Sequence, residues 1–118
     1  METGGKILVV DDNDDLRAVV YNMLSHLGYT VALADSGENG LSLFLCDTFD
    51  VVLSDYNMPG MDGVAFAYNV KERSPGTWVV IMTGAGRDTV FSRKSTAVDQ
   101  VISKPFTLAE IGNAIQHA

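Results

Sequence analysis

The stretch "KILVVDDNDDLRAVVYNMLSHLGYTVALA" (residues 6–34) contains two short apolar runs on either side of a segment with helical spacing. The runs at 6–10 and 30–34 have the length and the β-branched content of strands. Between them, apolar side chains recur every three or four residues, at Leu16, Val19, Val20, Met23, Leu24 and Leu27. Gly28 follows, where a helix is expected to end in the left-handed conformation. The stretch therefore predicts a strand, a helix and a second strand.

The same alternation continues along the rest of the chain. Further strand-like runs occupy residues 51–54, 77–82 and 100–103. Helical spacing predicts three more amphipathic helices, with apolar faces at Leu41, Phe44 and Leu45, at Phe66, Ala67 and Val70, and at Leu108, Ile111 and Ile115. Thr107 is the candidate N-cap of the last of these. A weaker segment at 88–98, with few apolar positions, is expected to form the fourth helix of five.

Strands that alternate with helices predict an α/β fold with a single doubly wound, five-stranded parallel sheet. Continuous apolar runs such as "VVIM" (residues 79–82) favour strands that are buried on both faces. Because crossover connections are right-handed, few topologies remain, and we expect a flavodoxin-like (βα)5 sheet with strand order 2-1-3-4-5. Ligands of such sheets lie at the carboxyl ends of the strands, near the point between strands 1 and 3 where the strand order reverses.

Length and charge limit the function classes. The 118 residues are enough for one domain, which we expect to span residues 1–118. A net charge of -7 argues against binding to nucleic acid or to an anionic membrane, because both need basic patches. The start, "METGGK", has no apolar signal segment, and the apolar runs are far shorter than the roughly 20 residues of a membrane helix. The single cysteine, Cys46, excludes an internal disulfide, and we expect a cytoplasmic protein.

Polar residues stand at the carboxyl ends of four predicted strands. Asp11 and Asp12 follow the first strand, Asp55 the third, Thr83 the fourth and Lys104 the fifth. These ends meet at one edge of a parallel sheet, so three carboxylates, a hydroxyl and an ammonium should converge there. Three carboxylates so close together repel one another unless a cation is bound. Oxygen ligands suit Mg2+, so the sequence predicts a divalent-metal site.

The same residues suit phosphoryl transfer. Aspartate is a nucleophile toward phosphoryl groups, and the reaction needs mainly in-line positioning and charge neutralisation. The metal would neutralise one side of the phosphoryl group, Lys104 would neutralise a second oxygen, and Thr83 would donate a hydrogen bond to a third. Asp14 and Asp15, by contrast, are interpreted as residues of the first helical turn, where the helix dipole favours negative charge.

Four segments together resemble one protein family. They are "VVDD" (residues 9–12), "LSDYNMPGMDG" (53–63), "MTGAG" (82–86) and "SKPF" (103–106). Their order and spacing resemble those of the receiver domain of two-component response regulators, over essentially the whole chain. The resemblance implies that Asp55 is the phosphoacceptor. It also implies a bound Mg2+, held by the side chains of Asp12 and Asp55, by the backbone carbonyl of Asn57, and by Asp11 through water.

The resemblance implies further roles and partners. Thr83 and Lys104 would contact the phosphoryl group, and the Lys104–Pro105 peptide bond would be cis. The phosphodonor would be a sensor histidine kinase or a phosphotransfer protein. The acyl-phosphate would hydrolyse in time, so the domain would be a signalling module and not a turnover enzyme. Its output surface, formed by the fourth helix, fifth strand and fifth helix, would bind a partner or an output domain, and homodimerisation through that face is common in the family.

One position departs from the family pattern. The family usually has Tyr or Phe three residues before the lysine, with a ring that turns inward when the hydroxyl of the fourth strand moves. Here that switch position is Val101. We therefore hypothesise that activation is transmitted by backbone shifts around residues 83–86 and the weak fourth helix. An inward swing of another aromatic, such as Phe91, would contradict this.

Several alternatives stay open at this stage. A haloacid-dehalogenase-like phosphatase also uses an aspartyl nucleophile and Mg2+, but it has a second aspartate two residues later, where this chain has Asn57. A flavodoxin-type cofactor module needs a phosphate-binding loop after the first strand, and "DDNDD" (residues 11–15) would repel that phosphate. A pseudo-receiver that only binds partners is a third. The chain ends directly after the fifth helix, so both a stand-alone receiver and a part of a longer regulator are compatible with it.

Overall fold

The computed structural model describes residues 5–84 and 97–116. Five parallel strands form one sheet in the order β2-β1-β3-β4-β5, which confirms the predicted strand order. The strands are β1 (Lys6–Val10), β2 (Thr30–Ala34), β3 (Val51–Asp55), β4 (Trp78–Thr83) and β5 (Gln100–Ser103).

The described residues contain four helices, which are α1 (Asp14–His26), α2 (Gly37–Cys46), α3 (Gly63–Arg73) and α4 (Leu108–Ile115). Helix α4 is the predicted fifth helix, and Thr107 caps it through a capping box with Glu110, as the sequence predicts for its N-terminus. The predicted fourth helix, at 88–98, falls almost entirely on residues outside the described part of the chain. In the described residues, no helix combines the length and the apolar character needed to cross a membrane.

The helices cover both faces of the sheet, because successive strand side chains point to opposite sides. One core contains Leu8 and Val10 of β1 with buried side chains of α2 and α3, and the other contains Ile7 and Val9 with those of α1 and α4. Strand β3 is buried along its whole length, as the continuous apolar runs indicate. The doubly wound architecture is thus present in the described residues.

Two strands end one residue later than predicted. Strand β3 includes Asp55, which pairs with Met82, and β4 includes Thr83, which pairs with Ser103. The polar residues of the sheet edge are therefore the last residues of the strands and not the first residues of the following loops. The sheet ladder fixes their backbone, which gives their side chains a defined direction.

Helix α1 begins as its sequence indicates. Asn13 is the N-cap, and its side chain accepts a hydrogen bond from the backbone N–H of Leu16 at 3.0 Å. Asp14 and Asp15 lie in the first turn, as predicted. Gly28, just after the helix, has a φ of 97°, which confirms the predicted left-handed helix end.

Gly63, the first residue of α3, lies against the backbone of the last residue of β3. Its N–H donates to the carbonyl of Tyr56 at 2.9 Å, and a Cβ at this position would lie only 2.3 Å from the carbonyl oxygen of Asp55. No relaxed van der Waals contact is so short, so only glycine allows α3 to begin here. The structure thus assigns this glycine to a close backbone approach at the start of α3.

We expect Gly63→Ala to destabilise the fold by about 1–3 kcal/mol, because the added methyl group must displace rigid backbone. The matched control is Gly76→Ala, since a Cβ there meets no heavy atom within 4 Å. Urea unfolding of the two variants measures the difference. A loss of stability in Gly63→Ala no larger than in Gly76→Ala would contradict the close-approach argument.

Candidate functional site

Three carboxylates meet where β1 and β3 end. Asp11, Asp12 and Asp55 each offer one oxygen, and these oxygens all lie within 4.8 Å of one another. Asp11 and Asp55 are buried, whereas Asp12 is exposed. Strands β1 and β3 are neighbours in the sheet, which explains the meeting of residues that are far apart in the sequence. The predicted convergence of these carboxylates is therefore present in the structure.

Asp11 is held firmly but keeps one oxygen without a partner. Its backbone N–H donates to the carbonyl of Ala34 at 3.1 Å, and its Oδ1 accepts from the N–H of Asn13 at 2.9 Å. Its Oδ2 is buried and has no hydrogen-bond partner among the residues that the structure describes. A buried oxygen of this kind is costly unless a ligand satisfies it.

The charge of Asp11 is also poorly compensated. Burial raises the pKa of its carboxyl above the ordinary value, and the charges of Asp55 and Asp12 raise it further. The Asn13 N–H and the Lys104 ammonium act in the opposite direction, but the net shift of the pKa is upward. A cation among these oxygens would reverse this balance by favouring the ionised form.

Asp55 receives two donors on the same oxygen. The Nζ of Lys104 lies 2.8 Å from its Oδ1, and the N–H of Tyr56 lies 3.0 Å from that atom. The lysine comes from the end of β5, two strands away in the sheet, so the ion pair spans β4. The predicted approach of the Lys104 ammonium to the Asp55 carboxylate is thus present in the structure.

The remaining predicted residues lie around this pair. Thr83 is buried at the end of β4, and its carbonyl accepts from the N–H of Lys104 at 2.8 Å. The Lys104–Pro105 peptide bond is cis. Asn57 is exposed in the loop after β3, two residues beyond Asp55. Val101 is buried in the core on the side of α2 and α3.

The structure adds one residue that the sequence reasoning missed. Arg17 of α1 donates from Nη1 to the carbonyl oxygen of Asp11 at 2.8 Å and from Nη2 to Oδ1 of Asp14 at 2.6 Å. The available signal was its place three residues after Asp14, since residues at this spacing are neighbours on a helix surface. It is also the basic residue nearest in sequence to the acidic stretch at residues 11–15.

The donor set fits a hard divalent cation. Its atoms are carboxylate oxygens, and one of them is buried without a hydrogen-bond partner in the described part of the chain. The exposed Asp12 keeps one side of the site open to solvent. Mg2+ binds through few protein oxygens and retains several waters, so an open site of this kind suits it. The residues present therefore fit a Mg2+ ion.

Comparisons with known proteins identify a family that covers nearly the whole chain. The family model of the response regulator receiver domain matches residues 7–116. The chain is 35% identical over 115 residues to the chemotaxis protein CheY of Pseudomonas aeruginosa, and the alignment covers 94% of this chain and 93% of CheY. It is 33% identical over 111 residues to the autoinducer 1 sensor kinase/phosphatase LuxN of Vibrio campbellii, which covers 94% of this chain but only 13% of LuxN.

Among solved structures, the response regulator protein TrrA of Thermotoga maritima, in complex with Mg2+-BeF, superposes with a TM-score of 0.86. It is 28% identical in sequence, and the match covers 94% of this chain and 96% of that one. The chain thus spans nearly all of CheY and TrrA but a small part of LuxN.

We expect Asp11→Asn to stabilise the metal-free fold, by about 1 kcal/mol, because a unit charge about 4 Å from another costs about that much even in bulk water. The sign depends on pH. Because the folded pKa of Asp11 lies above its unfolded value, the folded protein loses stability as pH rises from the unfolded pKa through the folded one. The advantage of Asp11→Asn in EDTA should therefore be absent at low pH and full at neutral pH.

Urea unfolding at a series of pH values measures this advantage. Asp15→Asn is the control, since it removes an exposed charge from the same acidic stretch. A wild-type protein that is as stable in EDTA at neutral pH as Asp11→Asn would contradict the argument from charge crowding. Mg2+ should also raise the melting temperature of the wild type more than that of Asp11→Asn.

Proposed function

The chain belongs to the response regulator receiver family, and on this premise we propose that Asp55 accepts a phosphoryl group from a sensor histidine kinase or a phosphotransfer protein. The observation that carries this proposal is the pairing of the Asp55 carboxylate with Lys104 at 2.8 Å, beside the carboxylates of Asp11 and Asp12. A nucleophilic carboxylate with a cation at its side is what phosphoryl transfer to aspartate requires.

We assign Asp12, Asp55 and the backbone carbonyl of Asn57 as Mg2+ ligands, with Asp11 binding through water. When bound, Mg2+ neutralises the carboxylates and the phosphoryl oxygens that approach them. Oδ2 of Asp11, which has no hydrogen-bond partner among the described residues, supports this role because it can accept a hydrogen bond from a metal-bound water. Asp12 is exposed and can contact the ion directly from the solvent side.

The transfer step needs little from the protein besides positioning. One carboxylate oxygen of Asp55 forms the new P–O bond while the P–N bond of the donor phosphohistidine breaks, and the histidine leaves with the electron pair of that bond. Lys104 is placed to bind a phosphoryl oxygen after transfer, since its ammonium already lies at the carboxylate. Thr83, at the end of the adjacent strand, supplies a hydroxyl donor to another oxygen.

The wider role follows from the family. We propose a receiver domain over residues 1–118 that acts in the cytoplasm and is not a turnover enzyme. Phosphorylation would alter the surface formed by the predicted fourth helix, β5 and α4, which would bind a partner, an output domain or a second copy of the chain. The backbone-shift hypothesis for Val101 stays a prediction, because residues 85–96 lie outside the described part of the chain.

Acetyl phosphate with Mg2+ should add a single acid-labile phosphoryl group to the wild-type chain and none to Asp55→Asn. Intact-protein mass spectrometry is the measurement. Tryptophan fluorescence would be a poorer readout of phosphorylation. Trp78 begins β4 at the end away from Thr83, and its indole N–H donates to the carbonyl of Ala114. Equal mass gain in both proteins would refute the assignment, and many rounds of phosphoester hydrolysis would favour the dehalogenase-like alternative.

Asp12→Ala should abolish the Mg2+ dependence of phosphorylation and reduce its rate severely, because the substitution removes a proposed metal ligand. Asp15→Ala is the matched control and should react nearly as the wild type does, since Asp15 lies in the first turn of α1 outside the carboxylate cluster. The rate of mass gain across a Mg2+ titration distinguishes the two. Similar titrations for both variants would remove Asp12 from the site.

A further inference from the structure

We propose that Arg17 is a positioning residue that fixes the peptide unit between Asp11 and Asp12, so that both carboxylates face one cation. This inference rests on the proposed function, because it assigns Arg17 a role in the same metal site. Arg17 itself touches neither substrate nor metal in this scheme. It acts through the backbone of the residues that do.

The contacts of Arg17 form a two-armed bridge. Nη1 donates to the carbonyl oxygen of Asp11 at 2.8 Å, while Nη2 donates to Oδ1 of Asp14 at 2.6 Å. The arginine side chain is only 19% exposed, whereas that of Asp14 is 85% exposed. A largely covered guanidinium with two partners in fixed directions has little freedom to move, since its planar fork sets the geometry of both bonds.

The helix explains why an arginine at this position can reach the strand end. Side chains of an α-helix lean toward its N-terminus, so Arg17 extends back over the first turn of α1. Asp14 is the first residue of that helix and lies on the same face, three residues earlier. Nη1 then reaches past the start of the helix to the carbonyl oxygen of Asp11, which follows β1.

The bond to the Asp11 carbonyl matters because of where that carbonyl lies. The N–H of Asp11 is fixed by the ladder to Ala34, and its side chain is fixed by Asn13. The carbonyl belongs to the next peptide unit, which also contains the N–H of Asp12. Rotation of that unit would turn Asp12, which is exposed, away from the buried pair Asp11 and Asp55. The hydrogen bond from Arg17 to the carbonyl oxygen of Asp11 holds this peptide unit in place.

Charge alone would give Arg17 the opposite effect. A guanidinium near a cation site repels the cation, so a purely electrostatic role predicts tighter Mg2+ binding when the positive charge is removed. The ion pair with Asp14 offsets part of this repulsion. A positioning role predicts weaker binding after the same substitution, and the two explanations therefore differ in sign.

The test is isothermal titration of Mg2+ into the wild type, Arg17→Gln and Arg17→Lys. We expect Arg17→Gln to bind about tenfold more weakly, the lower end of the effect of losing an outer-shell partner. Arg17→Lys should also bind more weakly, because an ammonium keeps the charge but cannot reproduce the fork. The control is Arg73→Gln. Arg73 is the last residue of α3 and donates to the carbonyl of Asn69, so this substitution should leave the Mg2+ affinity unchanged.

A second measurement separates positioning from general damage to the fold. The Mg2+ concentration for half-maximal phosphorylation by acetyl phosphate should rise about tenfold in Arg17→Gln, while the rate at saturating Mg2+ stays close to that of the wild type. A merely structural defect would lower the saturated rate and the melting temperature in EDTA together. If Arg17→Gln is too unstable to purify, Arg17→Lys carries the same test.

Unchanged or tighter Mg2+ binding by Arg17→Gln would overturn the inference, and so would wild-type affinity in Arg17→Lys. These results leave the proposed function intact as long as the wild type binds Mg2+ and Asp12→Ala does not. If the wild type itself fails to bind Mg2+, the proposed function fails, and the role of Arg17 fails with it.

Discussion

The burial of two carboxylates side by side is the constraint on which the site depends. Asp11 and Asp55 are both buried, and Asp12 brings a third carboxylate within 4.8 Å. Such a group is unfavourable in a folded protein unless cations accompany it, because desolvation and mutual repulsion act in the same direction. Lys104 supplies one positive charge from the end of β5, and its ammonium forms an ion pair with Asp55. The remaining negative charge would favour a divalent cation at the proposed site.

At the amino ends of the strands, a carboxylate with a structural role makes its contacts within the protein. Asp99, just before β5, accepts from Nζ of Lys71 at 2.6 Å and from the N–H of Val79 at 2.8 Å, both on Oδ2. Lys71 donates in addition to the carbonyl of Thr77. That carboxylate has its partners within the protein, whereas Oδ2 of Asp11 has none among the described residues. The unsatisfied carboxylate oxygen thus lies at the carboxyl ends of the strands, where the proposed ligand would bind.

The sequence predicted the sheet and the site because both depend on local patterns. Apolar runs locate strands, and the topology of parallel sheets then brings Asp11, Asp55 and Lys104 together. The features that the sequence did not predict depend on contacts between parts of the structure that no local pattern relates. The requirement for glycine at position 63 arises from a carbonyl eight residues earlier, and the bridge made by Arg17 depends on how α1 leaves the sheet. The strand ends at Asp55 and Thr83 were misplaced by one residue, because a polar side chain is a poor guide to where a ladder stops.

Val101 raises the question of how a change at Asp55 reaches the surface of β5. Receivers of this family usually have an aromatic ring at this position, but here a small branched side chain lies in the core, and it has no ring to rotate. Two hydrogen bonds made by Lys104 connect Asp55 with the ends of β4 and β5. The carbonyl of Thr83 accepts from the N–H of Lys104 at 2.8 Å, and the Lys104 ammonium contacts Asp55 at the same distance. A phosphoryl group that engages Thr83 and Lys104 would therefore act on the ends of β4 and β5 together.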